Sequence, residues 1–370
     1  MERIMTNRLD RGFYRYQEEF EAAALRVLRS GWYILGKELE AFEEAYAAYM
    51  GAKYCVGLGN GLDALYLACR ALGIGAGDEV IVQANTFIAS VMGITMAGGT
   101  PVFVEPDEYY MIDTEQIEAA ITEKTKAVMV VHLYGQTAQM RRVQEICKKH
   151  KLKLIEDCAQ SHGAHWDGQM TGTFGDIGCF SFYPSKNLGA FGDGGAIVTD
   201  DEGLRDRIRQ LRFYGSSVRY HNKEVGVNSR LDEMQAALLS VRLKYMDELT
   251  AERKALAARY DREITNPQIT KPAVREGAEH VYHQYVIRCD KRDALIGYLK
   301  EKGIDTIIHY PIPPHLSEAY AYLGIPKGTF PITEKYADTV LSIPMYNGMT
   351  EEEQARVIEA VNGFDGKQTT

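Results

Sequence analysis

Short apolar runs alternate with helical patterns through much of the first half of the chain, and this alternation limits the folds open to it. The runs are Glu79–Val82, Thr100–Val104, Ala127–Val131 and Lys153–Ile155. Strands that alternate with helices along a sequence usually pair in parallel, with the helices packed over the sheet. We therefore predict an α/β fold, with a mostly parallel, helix-covered sheet between residues 54 and 199.

The chain is long enough for two domains. Its 370 residues are 45% hydrophobic and 25% charged, as in an ordinary globular protein. A long helical pattern runs from Asp232 to about Arg259, and the strand-like segment His283–Arg288 follows it. We predict a large α/β domain over residues 1–250 and a smaller C-terminal α+β domain over residues 251–370.

Charge and cysteine content exclude several classes of function. The net charge of −9 argues against binding to nucleic acid or to an anionic membrane. No apolar run is long enough to span a bilayer, and the first residues lack a signal core, so we expect a cytoplasmic protein. The six cysteines form no C-x-x-C pair, and His162 and His165 lack a third ligand at metal spacing. We expect neither a disulfide framework nor a metal.

A lysine in a glycine-walled turn is the strongest chemical signal. The aromatic strand Phe180–Tyr183 stops at Pro184, and Lys186 lies in the turn that follows. Glycines stand at positions 189, 192, 194 and 195. A lysine in such an apolar turn is poorly hydrated, so its neutral amine becomes accessible for Schiff-base chemistry. Taken alone, Lys186 would more readily be interpreted as a solvated surface lysine, because most lysines are.

A carboxylate at a strand end is the second signal. Residues 151–157 read as a strand that ends in Glu156 and Asp157, where the ligands of α/β sheets bind. If the cofactor is pyridoxal phosphate (PLP), Asp157 would keep the pyridine nitrogen protonated, so that the ring withdraws electrons from the substrate. Without Lys186, a solvated strand-end acid would be the better interpretation.

The third signal is a glycine loop before a helix. Gly57, Gly59 and Gly61 precede a helical pattern whose first amides and dipole could bind phosphate. An ordinary loop is the alternative. Leu62 stands where a dinucleotide fingerprint needs its third glycine, and no Gly-Lys-Ser/Thr follows to make a P-loop.

Several motifs in order carry a resemblance to a known family. They are the glycine loop, Gln83–Ser90, Glu156–His162, Ser181–Gly189, Gly192–Gly195 and Gly226–Ala236. Together they resemble the DegT/DnrJ/EryC1/StrS family of PLP-dependent aminotransferases, which act on nucleotide-linked keto-sugars. The resemblance runs from Gly31–Gly36 to His309–His315. It implies the aspartate aminotransferase fold, which is PLP fold type I.

The resemblance assigns roles around the cofactor ring. Lys186 would hold PLP covalently and later move a proton between the substrate carbon and the cofactor. Asp157 would pair with the pyridine nitrogen, and Gln160 would bond the ring hydroxyl. Phe87 would lie on the ring face, although a core aromatic is its ordinary interpretation.

The resemblance also implies a shared phosphate site. The backbone amides of Gly61 and Leu62, the Ser181 hydroxyl and Asn228 of the partner subunit would bind the phosphate. The active sites would then be shared within a homodimer. Many members have threonine where this chain has Leu62, so one hydroxyl ligand is lost.

Substrate contacts are predicted from weaker signals. Tyr33, Tyr183, His309 and Tyr310 are expected near the sugar. A basic patch of Arg212, Arg219 and Lys223 could hold the sugar nucleotide, and a solvated basic face is the equal alternative.

The segments Asn228–Asp232 and Gly59–Asp63 look like those of members that aminate a dTDP-linked 3-keto-6-deoxyhexose. The predicted reaction moves the amino group of L-glutamate to C3, giving a dTDP-3-amino-3,6-dideoxyhexose and 2-oxoglutarate, with the cofactor cycling through pyridoxamine phosphate. A 4-keto sugar nucleotide or a cyclitol as substrate stays open, as does a PLP-binding regulatory protein. Lys186 argues against the dehydratases that carry histidine there, and Phe182 against the Tyr-x-x-x-Lys of an NAD(P) oxidoreductase.

Overall fold

A computed structural model describes residues 2–218 and 220–366 of the chain. The strands are β1 Tyr54–Leu58, β2 Glu79–Gln83, β3 Thr100–Val104, β4 Thr125–Val131, β5 Lys153–Asp157, β6 His165–Trp166, β7 Gln169–Met170, β8 Ile177–Ser181, β9 Gly195–Thr199, β10 Ser216–Val218, β11 His221–Asn222, β12 Tyr285–Arg288 and β13 Val340–Ile343. The α-helices are α1 Leu9–Arg15, α2 Gln17–Ser30, α3 Lys37–Met50, α4 Gly61–Ala71, α5 Ile88–Met96, α6 Thr114–Ile117, α7 Met140–His150, α8 Glu202–Leu211, α9 Glu233–Leu243, α10 Met246–Glu263, α11 Arg292–Glu301, α12 Pro331–Thr339 and α13 Glu351–Gly363.

A seven-stranded sheet, in the order β1-β9-β8-β5-β4-β2-β3, forms the centre of the molecule. Strands β8, β5, β4, β2 and β3 pair in parallel, whereas β9 runs antiparallel to both β1 and β8. Most residues of these strands are buried, as expected when helices cover a sheet. The predicted fold class is confirmed.

Two helices replace the single long pattern predicted from Asp232. Helix α9 ends at Leu243, and α10 begins at Met246. Tyr245, between them, leaves the helical conformation and stacks on Tyr16 with ring centroids 4.0 Å apart. This stacking joins residues that are distant in sequence, so no local pattern could reveal it.

A second core lies in the C-terminal part of the chain. The antiparallel pair β12–β13 packs with α10, α11 and α13 around buried side chains such as Tyr260, Tyr285, Leu295 and Val357. The division of the chain at residue 250 stays a prediction, and α10 runs through that position. Within the described ranges, no helix has the length and apolar character needed to cross a membrane.

Candidate active site

The carboxyl ends of β5 and β8 and the start of α4 meet at one edge of the sheet. β5 ends at Asp157 and β8 at Ser181, and the turn with Lys186 connects β8 to β9. A Cβ on Gly61 would lie 2.6 Å from the Cβ of Ser181, so only glycine allows α4 to begin this close to β8. The predicted lysine, carboxylate and phosphate elements therefore belong to neighbouring segments.

Asp157 is a buried carboxylate held from two sides. Its Oδ2 accepts a hydrogen bond from the Ser90 hydroxyl at 2.7 Å, and its Oδ1 accepts one from the Ala159 amide at 3.1 Å. Burial raises the pKa of Asp157, and the bonds from Ser90 and Ala159 act against this rise. Both oxygens keep room for a further donor, such as a protonated ring nitrogen.

Glu156, the neighbouring acid, has a different environment. Successive strand residues point to opposite faces, so Glu156 turns away from Asp157. It accepts the amides of Gly172, Phe174 and Gly175 at 2.7–2.8 Å and contacts His132 Nε2 at 2.9 Å. This carboxylate therefore anchors the loop before β8, and both of its oxygens are occupied by these structural contacts.

Lys186 lies half-buried in a rigid turn. Its amide donates to Tyr183 O at 2.8 Å, and a Cβ on Gly189 would approach Pro184 O to 2.3 Å. The adjacent Asn187 is buried and donates to Val281 O at 3.2 Å. Burial lowers the pKa of the Lys186 ammonium to about 8, while the Asp157 carboxylate acts in the opposite direction. A substantial fraction of the amine is thus neutral near physiological pH.

Three histidines around Lys186 are uncharged. Burial lowers the pKa of His162 to about 3 and that of His309 to about 4, and lowers the pKa of His283 well below its ordinary value. The charge of Lys186 shifts the pKa of all three in the same direction. His309 uses both ring nitrogens, with Ser342 at 2.8 Å and Gln284 at 2.9 Å. A substrate contact through the ring of His309 would have to replace one of these bonds.

Gln160, Tyr310 and Phe87 form a continuous wall. Gln160 Nε2 donates to the Tyr310 hydroxyl at 3.0 Å, and Gln160 Oε1 accepts the Tyr134 amide at 2.6 Å. The rings of Phe87 and Tyr310 lie 5.0 Å apart, and Phe87 remains 48% exposed. An exposed ring held in this way can cover one face of a planar cofactor.

The start of α4 has two unused amide donors. The Asn60 side chain caps the helix by accepting the Asp63 amide at 2.8 Å. The amides of Gly61 and Leu62 donate to no acceptor among residues 2–218 and 220–366. Ser181 lies beside them and accepts the Tyr183 amide at 3.3 Å, which leaves its own proton available. Free donors at a helix start suit a phosphate.

Other predicted residues lie outside this group. Asn228, Tyr33 and Tyr183 are exposed, and among the described residues none of their side chains forms a hydrogen bond with Lys186, Asp157 or Gln160. Arg219 lies outside the described residues. Arg212 is not part of an open basic patch, because it is buried and bound to Glu43 at 2.6 Å and to Gly57 O at 2.7 Å.

These contacts show that the predicted residues fit PLP. A poorly hydrated lysine, a buried carboxylate with free acceptor capacity, an exposed aromatic ring and a helix start with free amides supply what an aldehyde, a pyridine nitrogen, a ring face and a phosphate require.

Comparison with known proteins decides the family. The model of the DegT/DnrJ/EryC1/StrS aminotransferase family matches residues 15–362. The chain belongs to this family. The aminotransferases of this family are PLP-dependent, so the predicted enzyme class and cofactor are confirmed.

Relatives of this aminotransferase match over nearly its whole length. It is 53% identical over 351 residues to a dTDP-3-amino-3,6-dideoxy-alpha-D-galactopyranose transaminase from Aneurinibacillus thermoaerophilus, covering 95% of this chain and 96% of the relative. It is 47% identical over 345 residues to a dTDP-3-amino-3,4,6-trideoxy-alpha-D-glucose transaminase from Streptomyces venezuelae, covering 93% and 91%. The crystal structure of S. venezuelae DesV in complex with a ketimine intermediate superposes with a TM-score of 0.96 at 45% identity, covering 98% of both chains.

Ser90 and Tyr134 of this aminotransferase were not predicted as site residues. Ser90 lies in the motif Gln83–Ser90, but a hydroxyl one turn into a helix carries no sign of its partner. Tyr134 has a positive φ of 60° and binds Gln160 through its backbone amide, and its hydroxyl donates to His309 O. A non-glycine residue in this region is often found at functional sites, but sequence does not reveal it.

Proposed function

We propose that this aminotransferase moves the amino group of L-glutamate to the C3 keto group of a dTDP-linked 3-keto-6-deoxyhexose. The products would be a dTDP-3-amino-3,6-dideoxyhexose and 2-oxoglutarate. The observation that carries the proposal is the likeness to the A. thermoaerophilus transaminase, whose name places the amino group at C3 of a dTDP-linked dideoxyhexose. The name of the S. venezuelae relative also places the amino group at C3 of a dTDP-linked sugar.

We propose the following roles for the residues of the site. Bound PLP supplies an aldehyde that bonds to amines and a ring that takes up electrons from the substrate carbon. Lys186 would hold the cofactor covalently, and its Nζ would carry a proton between substrate and cofactor. Asp157 would keep the proton on the pyridine nitrogen, and Phe87 would cover the ring.

Further residues would bind and orient. The Tyr134 amide holds Gln160 through its Oε1. The Nε2–H of Gln160 would then donate to the ring hydroxyl in place of its present hydrogen bond to the Tyr310 hydroxyl. The amides of Gly61 and Leu62 and the Ser181 hydroxyl would bind the phosphate. The three histidines are uncharged, so none of them is an acid that could donate a proton in place of Lys186.

A homodimer would complete the site. Asn228 is exposed on its own chain, so its amide is free to reach a neighbouring copy. Trp32, Tyr33 and Ile34 form an exposed apolar loop that a second copy would cover. We propose that the side chains of Tyr33, Tyr183, His309 and Tyr310 contact the sugar, and that the reaction takes place in the cytoplasm.

The cofactor spectrum tests this proposal. The PLP form is mixed in turn with a dTDP-3-amino- and a dTDP-4-amino-6-deoxyhexose, and its visible absorbance is followed. Bleaching by the 3-amino sugar alone is expected. Bleaching by the 4-amino sugar alone would contradict amination at C3, while no response to either, with glutamate still active, would indicate another nucleotide or a cyclitol. A regulatory protein would turn over none of these compounds.

A further inference from the structure

The Ser90 hydroxyl has its proton committed to Asp157. An ionised carboxylate only accepts hydrogen bonds, so in the 2.7 Å contact between Ser90 Oγ and Asp157 Oδ2 the serine is the donor. Because a hydroxyl has a single proton, Ser90 can give no other hydrogen bond. Any further partner of its oxygen must donate to it.

Thr86 is that partner. Thr86 Oγ1 lies 2.7 Å from Ser90 Oγ, and the threonine must be the donor because the serine proton is already used. The three groups therefore form a directed chain from Thr86 through Ser90 to Asp157. Thr86 is 1% exposed, Ser90 0% and Asp157 5%, so bulk water has little access to this chain. Hydrogen bonds to a charge in such surroundings are stronger than those in water.

We propose that Ser90 and Thr86 are positioning residues that keep the Asp157 carboxylate ionised and directed at the pyridine nitrogen of bound PLP. This inference rests on the proposed function, since it concerns PLP bound at this site. Ser90 fixes Oδ2 and the Ala159 amide fixes Oδ1, so the carboxylate cannot rotate without breaking one of the two bonds. A carboxylate held in one orientation can meet the ring nitrogen without first reorganising.

Helix α5 connects the hydrogen-bond chain from Thr86 to Asp157 with the rest of the cofactor site. Phe87 immediately precedes α5, and Ser90 donates its amide to Phe87 O at 3.1 Å. On the same helix, a Cβ on Gly93 would come within 2.6 Å of the Leu65 Cβ of α4, so the two helices are packed closely. One helix turn thus places the predicted ring-face aromatic and the Asp157 donor, and α5 lies against the helix that begins at the phosphate site.

The environment of Asp157 determines in which direction the loss of the Ser90 hydroxyl shifts the pH dependence of PLP binding. Burial raises the pKa of Asp157, whereas the Ser90 bond, the Ala159 amide and the charges of Lys186 and His132 lower it. Loss of the Ser90 hydroxyl therefore raises this pKa further. The carboxylate then becomes protonated at a higher pH, and the acid side of the PLP binding profile moves upward in pH.

The test measures cofactor binding and ring protonation. Apo protein is titrated with PLP at a series of pH values, and ¹⁵N-labelled PLP reports the protonation of its ring nitrogen in the bound state. For Ser90→Ala we expect about tenfold weaker PLP binding at neutral pH, an acid limb shifted upward, and a ¹⁵N shift closer to that of neutral pyridine. For Thr86→Val, which weakens the chain without breaking its last bond, we expect the same changes at about threefold.

Two variants separate positioning from simple support of the fold. Ser90→Thr keeps the hydroxyl and should restore the wild-type ¹⁵N shift. Thr95→Val removes another hydroxyl of α5, which bonds Tyr320 and not Asp157, and should change thermal stability alone. A Ser90→Ala protein that melts earlier but keeps the wild-type ¹⁵N shift and pH profile would overturn the inference. If Ser90→Ala does not fold, an unchanged ¹⁵N shift in Thr86→Val overturns it. Wild-type protein that fails to bind PLP would instead refute the proposed function.

Discussion

At the scale of single residues, the environment of each acid or base decides its role. Asp157 and Glu156 are neighbours, yet Glu156 is bonded on both oxygens by amides and a histidine, whereas Asp157 keeps acceptor capacity. Lys186 differs from a surface lysine because burial lowers its pKa to about 8. The chemistry assigned to these residues follows from desolvation and hydrogen bonding more than from residue type.

The lowered pKa of Lys186 predicts how fast apo protein captures PLP at different pH. The neutral amine is the nucleophile, so the rate should rise with pH and level off above about pH 8. A lysine with an ordinary pKa would keep gaining rate toward pH 10 or so. Stopped-flow absorbance measures the rate, with Lys186→Ala as the blank. A rate that climbs steadily beyond pH 9 or so would contradict the lowered pKa.

At the scale of elements, a buried acid fixes the start of helix α3. Glu233 at the start of α9 is 2% exposed and accepts the amides of Gly36, Glu38 and Leu39 at 2.9–3.0 Å. These amides belong to the beginning of α3, where a negative charge is favourable. Glu233 also donates its own amide to Tyr33 O at 3.0 Å. The motif Gly226–Ala236 therefore fixes the loop that carries Tyr33.

Glu233→Ala is expected to destabilise this region strongly. It leaves the donors at the start of α3 without an acceptor, which should cost about 3 kcal/mol. The midpoint of urea unfolding should fall, and protease cleavage within residues 31–36 should become faster. Glu44→Gln is the matched control, because Glu44 is an exposed acid on the same helix α3. Equal behaviour of the two variants would show that Glu233 does not hold the loop.

At the scale of the whole molecule, the sheet was predictable and the pairing of distant segments was not. The run Ala127–Val131 lies within β4 because interior strands of a parallel sheet, buried on both faces, are continuous apolar runs in the sequence. The reversed direction of β9 and the break at Tyr245 depend on tertiary contacts that leave no local pattern.

In the candidate site, too, residues in local motifs were predictable, whereas contacts between residues far apart in the sequence were not. Lys186 and Asp157 were predictable because Asp157 ends a strand, Lys186 lies in the turn after another strand, and both belong to recognisable motifs. The bond from Ser90 to Asp157 joins residues 67 positions apart, and nothing in the motif Gln83–Ser90 indicates it. Arg212 is bound to Glu43, 169 positions away in the sequence. One residue of the predicted basic patch therefore lies in a buried ion pair, which the sequence around it does not indicate.

Mixed dimers test the shared site. Lys186→Ala removes the lysine, and Asn228→Ala removes the amide expected to reach the partner. In a mixed dimer, one of the two sites has both residues intact, so activity should exceed the sum of the two parent proteins. A Lys186→Ala and Ser240→Ala mixture is a control for subunit exchange, since Ser240 bonds only Ala236 O within its own helix. Activity equal to the parental sum would contradict an Asn228 contribution across subunits.

The most direct test of the account is to locate the lysine that bonds PLP. Protein loaded with PLP is reduced with borohydride, digested, and analysed by mass spectrometry for the peptide that carries the reduced cofactor. We expect the label on Lys186 and its disappearance in Lys186→Ala. A label on a different lysine, with Lys186 unmodified, would contradict the assignment of the site on which the proposed function rests.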